Sequence, residues 1–183
     1  IDTPDEIHLT EGNRPEKFTG RIVFEDVTFS YNDEGIALKK ISLTALPGQT
    51  LALVGTTGSG KSTVLNLLSR FYEPTSGKIL LDGNPISEIS KEWLRDQTGF
   101  VTQEPFLFNT TIRENLTLAK HEATDAQLWA VLEAANAAEF IRSLPEQLDT
   151  VAGERGIRFS GGEKQRISIA RALLKNPPLL LLD

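Results

Sequence analysis

The sequence predicts an α/β fold in which an antiparallel β part precedes a buried strand and a helical insertion. Broken alternation of apolar residues over 22–29 and 41–45 is typical of a half-buried antiparallel pair. Residues 50–54 are apolar enough to indicate a strand buried on both faces. From about 110 to 144 the pattern becomes helical. These three observations set the fold class.

The remaining elements follow the same patterns. A glycine-rich turn after residue 54 leads into a segment with apolar residues at helical spacing, which are Val64, Leu67, Leu68 and Phe71. Residues 80–84 indicate a strand that runs into a tight turn. Thr124 and Gln127 have the spacing of a capping box. A further helix is predicted from Ser160, with a proline pair at 177–178 to stop it before a buried leucine strand at 179–182.

Composition excludes several classes. The chain of 183 residues carries 19 basic and 25 acidic side chains, a net charge of −6 that opposes non-specific attraction to nucleic acid or anionic lipid. It contains no cysteine, so disulfides and thiolate metal sites are excluded. Residues 1–17 are polar and aperiodic and are predicted to be a linker. The absence of an initiator methionine and the abrupt end on Asp183 lead us to expect a fragment.

The most specific motif is a phosphate-binding loop. Its pattern, G-x-x-x-x-G-K-[ST], occurs after the predicted strand and before the predicted helix, which is the context that it requires. Glycines allow backbone N–H groups to converge on phosphates, and the helix N-terminus adds a positive partial charge. Lys61 is expected to reach the β and γ phosphates and Ser62 to ligate Mg²⁺. The candidate nucleotide-binding residues are Gly55, Thr56, Thr57, Gly58, Ser59, Gly60, Lys61, Ser62 and Thr63.

Two further segments suit a nucleotide site. The leucine strand ends in Asp183, whose carboxylate is the type of group that holds Mg²⁺ beside a phosphate-binding loop. Ser160 and Glu163 have the spacing of a capping box, which explains both as a helix start. Gly161 and Gly162 are not needed for a cap, and they expose N–H groups at a second positive helix end.

Residues 159–166, about 100 residues after the loop, resemble the signature motif of ABC ATPases, and the resemblance extends from about residue 20 to 183. It implies a P-loop NTPase core with an antiparallel β subdomain and an inserted α-helical subdomain. The implied division is a linker over 1–17, then β subdomain and core over 18–103, helical subdomain over 104–166, and a return to the core over 167–183.

The resemblance also implies that the chain is the ATP-hydrolysing motor of a membrane exporter. It would lie at the cytoplasmic face of the membrane and use ATP and Mg²⁺ as cofactors. The implied partners are a transmembrane domain in the same or an associated chain and a second ABC ATPase domain, identical or different; nucleic acid is not expected. Ser160, Gly161 and Gly162 would act in trans on the ATP of a head-to-tail partner.

Other positions match the family by context. Tyr31 resembles the aromatic residue that stacks on adenine; an ordinary strand aromatic is the alternative. Gln103 is similar to the loop glutamine that reaches Mg²⁺ and the attacking water, and residues 153–156 resemble the exporter-type loop that touches the membrane domain. With Lys61 and Asp183, Gln103 completes the candidate catalytic set, and Ser62, Gln103 and Asp183 form the candidate metal set.

The chain departs from the family pattern in two ways. Phe159 and Glu163 replace the leucine and glutamine of the commonest signature. The catalytic glutamate and histidine of the family are expected after Asp183, so residues 1–183 are expected to bind nucleotide but to hydrolyse it hardly at all.

The alternatives to the exporter function are a soluble ABC ATPase of DNA repair or translation and a nucleotide-binding module that does not hydrolyse. The spacing from loop to signature leaves no room for the long coiled coil of the DNA-repair type.

Overall fold

The computed structural model describes residues 10–32 and 35–183. The chain divides into two compact units, of which the first runs to Thr98 and includes Asp183, and the second is Gly99–Leu182. Each unit is described by itself. Across the described ranges, no helix combines the length and the apolarity needed to cross a membrane.

The described residues form six strands and six α-helices. The strands are β1 (Ile22–Asn32), β2 (Gly35–Ala45), β3 (Ser76–Leu81), β4 (Asn84–Pro85), β5 (Thr98–Val101) and β6 (Leu179–Leu182). The α-helices are α1 (Lys61–Leu68), α2 (Lys91–Gln97), α3 (Ile112–Thr117), α4 (Asp125–Ala134), α5 (Ala138–Arg142) and α6 (Gly161–Leu174). Short 3₁₀ turns occupy Ile86–Glu88, Gln147–Asp149 and Glu154–Gly156.

The first unit is built on a four-stranded sheet in the order β2-β1-β3-β4. Strand β1 pairs antiparallel with both β2 and β3, and Ile22 stands opposite Ala45 on one side and Leu81 on the other. On β1, Ile22 and Phe24 are buried, and after an irregularity in the ladder between Glu25 and Thr28 the buried positions become Val27 and Phe29. The period of two therefore holds on each side of the irregularity. The predicted antiparallel pair is confirmed.

The predicted strand and turn at 80–84 are also confirmed. Strand β3 passes through Asp82 and Gly83 into the short strand β4. The Asp82 carboxylate accepts hydrogen bonds from the backbone N–H of Thr19, from the Thr19 hydroxyl at 2.7 Å and from the backbone N–H of Arg21 at 2.9 Å. Burial raises the pKa of Asp82, but these donors outweigh it and hold the pKa below its usual range.

The segment before β1 lies along the first unit. Asn13 forms a parallel bridge with Ile89, and Arg14 forms an ion pair with Glu92. Phe18 packs edge-on against the ring of Trp93, with ring centroids 5.7 Å apart. Of the predicted linker, residues 1–9 lie outside the described residues.

The apolar segment at 50–54 is not a strand, and the prediction of a strand buried on both faces was wrong. Within the described ranges it forms no ladder with any other segment. Leu51 is 44% exposed and Val54 is 93% exposed. Apolar composition indicates a tendency to be buried, but a strand also requires a neighbouring strand that completes its backbone hydrogen bonds.

Helix α1 is shorter than its apolar spacing predicts. Val64, Leu67 and Leu68 are buried on one face, but the helix ends at Leu68 and Phe71 is 53% exposed. Arg70 has a left-handed backbone conformation, with φ 51°, which turns the chain out of the helix. The inclusion of Phe71 in the helical pattern was therefore wrong.

The second unit has a helical core. Helices α3 to α6 bury apolar side chains in one cluster, in which Leu116, Leu128, Leu132, Ile141 and Ile167 are fully buried. The capping box predicted at Thr124 and Gln127 is present, and the predicted helical region is confirmed.

The leucine strand is confirmed, but its burial is not as predicted. Strand β6 pairs with β5 in a two-stranded sheet. Leu179 and Leu181 are buried, whereas Leu180 and Leu182 are 38% and 56% exposed. A strand with a neighbour packed on one face buries only alternate side chains, so the run of four leucines overstated the burial.

The hydrogen bonds of Asp82 predict a defined pH dependence of stability. Because its pKa is lowered in the folded state, its contribution is present above the unfolded pKa of about 4 and is lost as the pH falls through the lower folded pKa. Asp82→Asn is expected to be less stable than the wild type at pH 7, with a difference that shrinks towards pH 3. Urea unfolding across this range measures it. The control is Glu25→Gln, which removes an exposed charge from the same sheet; an equal pH profile in both variants would contradict the assignment.

Candidate functional site

The turn between residue 55 and helix α1 is shaped by two left-handed glycines. Gly58 has φ 82° and Gly60 has φ 90°, a conformation that side-chain-bearing residues rarely adopt. A Cβ on Gly60 would also lie 2.5 Å from Leu38 Cδ2 and 2.8 Å from the carbonyl oxygen of Ala37. Gly60 therefore allows the loop to pass against strand β2 and enter the helix directly.

The N-terminus of helix α1 is left without a side-chain cap. Gly60 occupies the N-cap position and has no side-chain acceptor to offer, and the first turn contains no acidic residue. The first backbone N–H groups of a helix have no intrahelical acceptor, and the helix dipole makes this end positive. The first turn can therefore bind an anion through its backbone N–H groups.

Lys61 lies over the same loop. Its ammonium group donates to the carbonyl oxygens of Gly55 at 3.0 Å and Thr56 at 2.9 Å, and it lies 3.4 Å from Ser59 Oγ. These neutral acceptors hold the cation at the mouth of the loop without neutralising its charge. The positive charge remains available to an anion bound at the start of α1.

Ser62 and Asp183 are brought together although 121 positions separate them. The Ser62 hydroxyl donates to Asp183 Oδ1 at 2.8 Å. A hydroxyl and a carboxylate side by side next to a phosphate-binding turn are the oxygen donors that Mg²⁺ prefers, with the remaining positions left to water and phosphate. The donor set therefore fits a magnesium ion. Among the described residues, no group of three or more His, Cys, Asp or Glu side chains converges on one point.

Tyr31 lies beside helix α1. Its hydroxyl donates to Thr63 Oγ1 at 3.1 Å and accepts from Asn66 Nδ2 at 3.3 Å. The ring packs edge-on against Phe29 and Tyr72, yet Tyr31 is still 49% exposed. The first unit therefore brings an accessible aromatic ring to the helix that begins at Lys61.

In the second unit, three segments that are distant in sequence share one cavity of about 570 Å³. Gln103, Arg155 and Gly161 all line it. They come from the predicted glutamine loop, the 153–156 loop and the signature segment respectively. Arg155 has φ 50°, and Gly153 and Gly156 also have positive φ, so the 153–156 loop has an unusual backbone for so short a turn.

The signature segment begins helix α6 with a complete capping box. The Ser160 hydroxyl accepts from the backbone N–H of Glu163, while Glu163 accepts from the backbone N–H of Ser160 at 2.7 Å and from its hydroxyl at 2.8 Å. The hydrogen bonds from Ser160 outweigh partial burial and hold the pKa of Glu163 below its usual range. Gly161 and Gly162 are exposed, and a Cβ on either would meet nothing within 4 Å.

The candidate residues thus form two groups. Tyr31, the loop from Gly55 to Thr63, and Asp183 belong to the first unit, whereas Gln103 and Ser160 to Gly162 belong to the second. Sequence reasoning missed Asn66 and Tyr72, which both contact Tyr31. Asn66 stands three positions after Thr63, so helical spacing could have placed the two on one face. No sequence pattern could have predicted the contact between Tyr72 and Tyr31, because Tyr72 lies beyond the end of the helix.

A glycine-rich turn at an uncapped helix, a hydroxyl–carboxylate pair and an adjacent aromatic ring are the features expected of a protein of the P-loop class. The sequence profile described as ABC transporter matches residues 38–183. The chain belongs to this family.

Similar proteins and one solved structure support this family assignment. The chain is 49% identical over 176 residues to ABC transporter B family member 13 of Arabidopsis thaliana, covering 96% of this chain and 14% of that protein. It is 49% identical over 171 residues to the mitochondrial potassium channel ATP-binding subunit of Homo sapiens, covering 92% and 23%. A structure of a bacterial Atm1-family ABC exporter with ATP bound matches with a TM-score of 0.87 and 40% identity, covering 94% of this chain and 32% of that one. The chain thus spans less than a third of the length of these proteins.

The two glycines of the loop allow a matched test. Gly58→Ala introduces only left-handed strain, which costs about 1–2 kcal/mol. Gly60→Ala adds a clash with strand β2 and is expected to lose more stability, and to lose ATP binding as well. Urea unfolding and ATP titration of both variants measure this. Equal losses of stability in both variants would show that the contact with Leu38 and Ala37 is unimportant.

Proposed function

We propose that this chain is the ATP-binding and ATP-hydrolysing motor domain of an ABC-type membrane exporter. The observation that carries the proposal is the uncapped N-terminus of α1, with Lys61 over the loop and Ser62 joined to Asp183 beside it. These groups supply backbone donors, a cation and two metal ligands within one unit. Triphosphate recognition needs all three.

Each residue has a separate role at this site. Backbone N–H groups of the loop and of the first turn of α1 bind the phosphate oxygens, and Lys61 turns from the loop carbonyls to the β and γ phosphates. Ser62 and Asp183 would hold Mg²⁺, which when bound neutralises charge between the β and γ phosphates. Gln103 is proposed to contact the metal ion and the attacking water.

The signature segment is proposed to act on the ATP of a second ABC ATPase domain in a head-to-tail dimer. The exposure of Gly161 and Gly162 at the start of α6 supports this, because a phosphate can approach the backbone there without a side chain in between. The Ser160 hydroxyl and the Glu163 carboxylate satisfy each other in the capping box. The negative charge of Glu163 is therefore directed to the helix start rather than left unpartnered.

We propose a transmembrane domain as the second partner. The chain would then lie at the cytoplasmic face of the membrane. The cavity in the second unit supports this, because it gathers the glutamine loop and the 153–156 loop on one surface. Phe106, which also lines it, is 47% exposed. An exposed apolar ring beside a cavity suits a protein partner.

Lys61→Ala tests the phosphate site. It removes the side-chain cation that faces the β and γ phosphates and is expected to lower MgATP affinity by at least about 100-fold, or about 2.7 kcal/mol. Titration with labelled ATP measures it. Lys78→Ala is the matched control, since it removes an exposed lysine of strand β3 and should bind ATP as the wild type does. Unchanged affinity in Lys61→Ala would refute the assignment.

Tyr31→Ala tests the base site. Loss of a stacking ring removes about 1–3 kcal/mol that depends on the base, so ATP affinity should fall by about tenfold or more while inorganic triphosphate affinity changes little. Competition titrations with both ligands measure the ratio. An equal loss for both ligands would mean that Tyr31 serves only the packing of strand β1.

A further inference from the structure

The hydroxyl group of Tyr31 ties its ring to the phosphate-binding helix. It donates to Thr63 Oγ1 at 3.1 Å and accepts from Asn66 Nδ2 at 3.3 Å, and both partners stand on α1. Thr63 is buried and Asn66 is half-buried. A strand residue is thereby fixed to the first two turns of the helix whose first turn is proposed to meet the phosphates.

The ring itself is held by two perpendicular aromatic neighbours. Phe29 is buried and lies 4.8 Å from the Tyr31 ring centroid at an interplanar angle of 84°; Tyr72 lies 5.0 Å away at 88°. Phe29 and Tyr72 also contact each other, with centroids 5.5 Å apart. Edge-to-face contacts of this kind restrict rotation of the ring while leaving part of it open to solvent.

Tyr31 is thus held both at its hydroxyl and at its ring. A half-exposed aromatic side chain on a strand can pack without either set of contacts. The hydroxyl is bonded twice, and the ring has one partner on its own strand, Phe29, and one beyond helix α1, Tyr72. A stacking platform binds a planar base best when its orientation is set beforehand, because no side-chain entropy is then lost on binding. Asn66 and Tyr72 supply two of the contacts that set this orientation, beside those of Thr63 and Phe29.

We propose that Asn66 and Tyr72 are positioning residues for adenine binding, which hold the Tyr31 ring at a fixed place beside helix α1. The inference rests on the proposed stacking role of Tyr31. It adds that base recognition and phosphate recognition are joined through one helix: Lys61 and Ser62 on its first turn serve the phosphates, and Asn66 on its second turn serves the base.

The test compares MgATP with inorganic triphosphate on residues 1–183. Removing the amide donor in Asn66→Ala is expected to weaken ATP by about threefold to tenfold, the worth of one hydrogen bond, and to leave triphosphate within about twofold. Asn66→Gln keeps a donor and should regain part of the loss. Asn109→Ala, which removes an exposed asparagine of the second unit, is the matched control.

Tyr31→Phe tests the same hydrogen bonds from the other side, because it keeps the ring and removes the hydroxyl. It should show a loss like that of Asn66→Ala, and the double variant should lose less than the sum of the two, since both changes break one interaction. Tyr72→Leu should weaken ATP selectively, and Tyr72→Phe, which keeps the ring edge, should bind closer to the wild type. Thermal unfolding of every variant checks that it is folded.

The outcomes separate this inference from the proposed function. If Tyr31→Ala weakens ATP selectively but Asn66→Ala and Tyr31→Phe do not, the positioning role is overturned and the stacking role stands. If Asn66→Ala weakens ATP and triphosphate equally, its effect is on the helix as a whole and the inference is again overturned. If Tyr31→Ala itself shows no preference between the ligands, the proposed base site is refuted together with the inference. If Asn66→Ala does not fold, the ATP and triphosphate affinities of Tyr31→Phe and Asn66→Gln test the positioning role instead.

Discussion

The proposed phosphate site depends on one backbone constraint, the left-handed conformation of Gly60 at the start of helix α1. It brings the chain past strand β2 at a distance that excludes a Cβ, and it begins the helix with no side chain to satisfy the first N–H groups. A serine or aspartate there would have capped the helix and occupied its anion site. The absence of a cap, normally a cost in stability, is thus what leaves these donors free for a phosphate.

Helix α1 begins without a side-chain cap, whereas α2 is capped by Ser90 and three helices of the second unit have capping boxes. Helices α3, α4 and α6 of the second unit begin with complete capping boxes, so their N-termini are satisfied by their own side chains. In α6 the box also fixes the orientation of Glu163 towards Ser160, while Gly161 and Gly162 keep the adjacent backbone exposed. A helix start can therefore have a complete capping box and still present backbone N–H donors to a partner. The proposed trans contact requires this combination.

Polar contacts join distant segments of the first unit in addition to aromatic packing such as that of Phe18 on Trp93. Asp82 fixes the chain before β1 to the turn after β3, Asp183 meets Ser62, and Tyr31 is bonded to Thr63 and Asn66. Each of these bonds is worth only about 1 kcal/mol, but each specifies a position that packing alone leaves free. The site is consequently assembled by directional bonds placed on a sheet that apolar burial has already formed.

By itself the sequence determined the β1–β2 pair, the loop and helix of the proposed phosphate site and the capping boxes of α4 and α6. Their signals are local: alternation, glycine spacing and a polar residue three positions from its partner. Only the tertiary structure decided that residues 50–54 have no ladder partner and that β6 buries alternate leucines. It also decided that Asn66 and Tyr72 meet Tyr31. Burial on a given face and contact between distant side chains depend on which neighbours the chain brings alongside, and no local pattern contains that information.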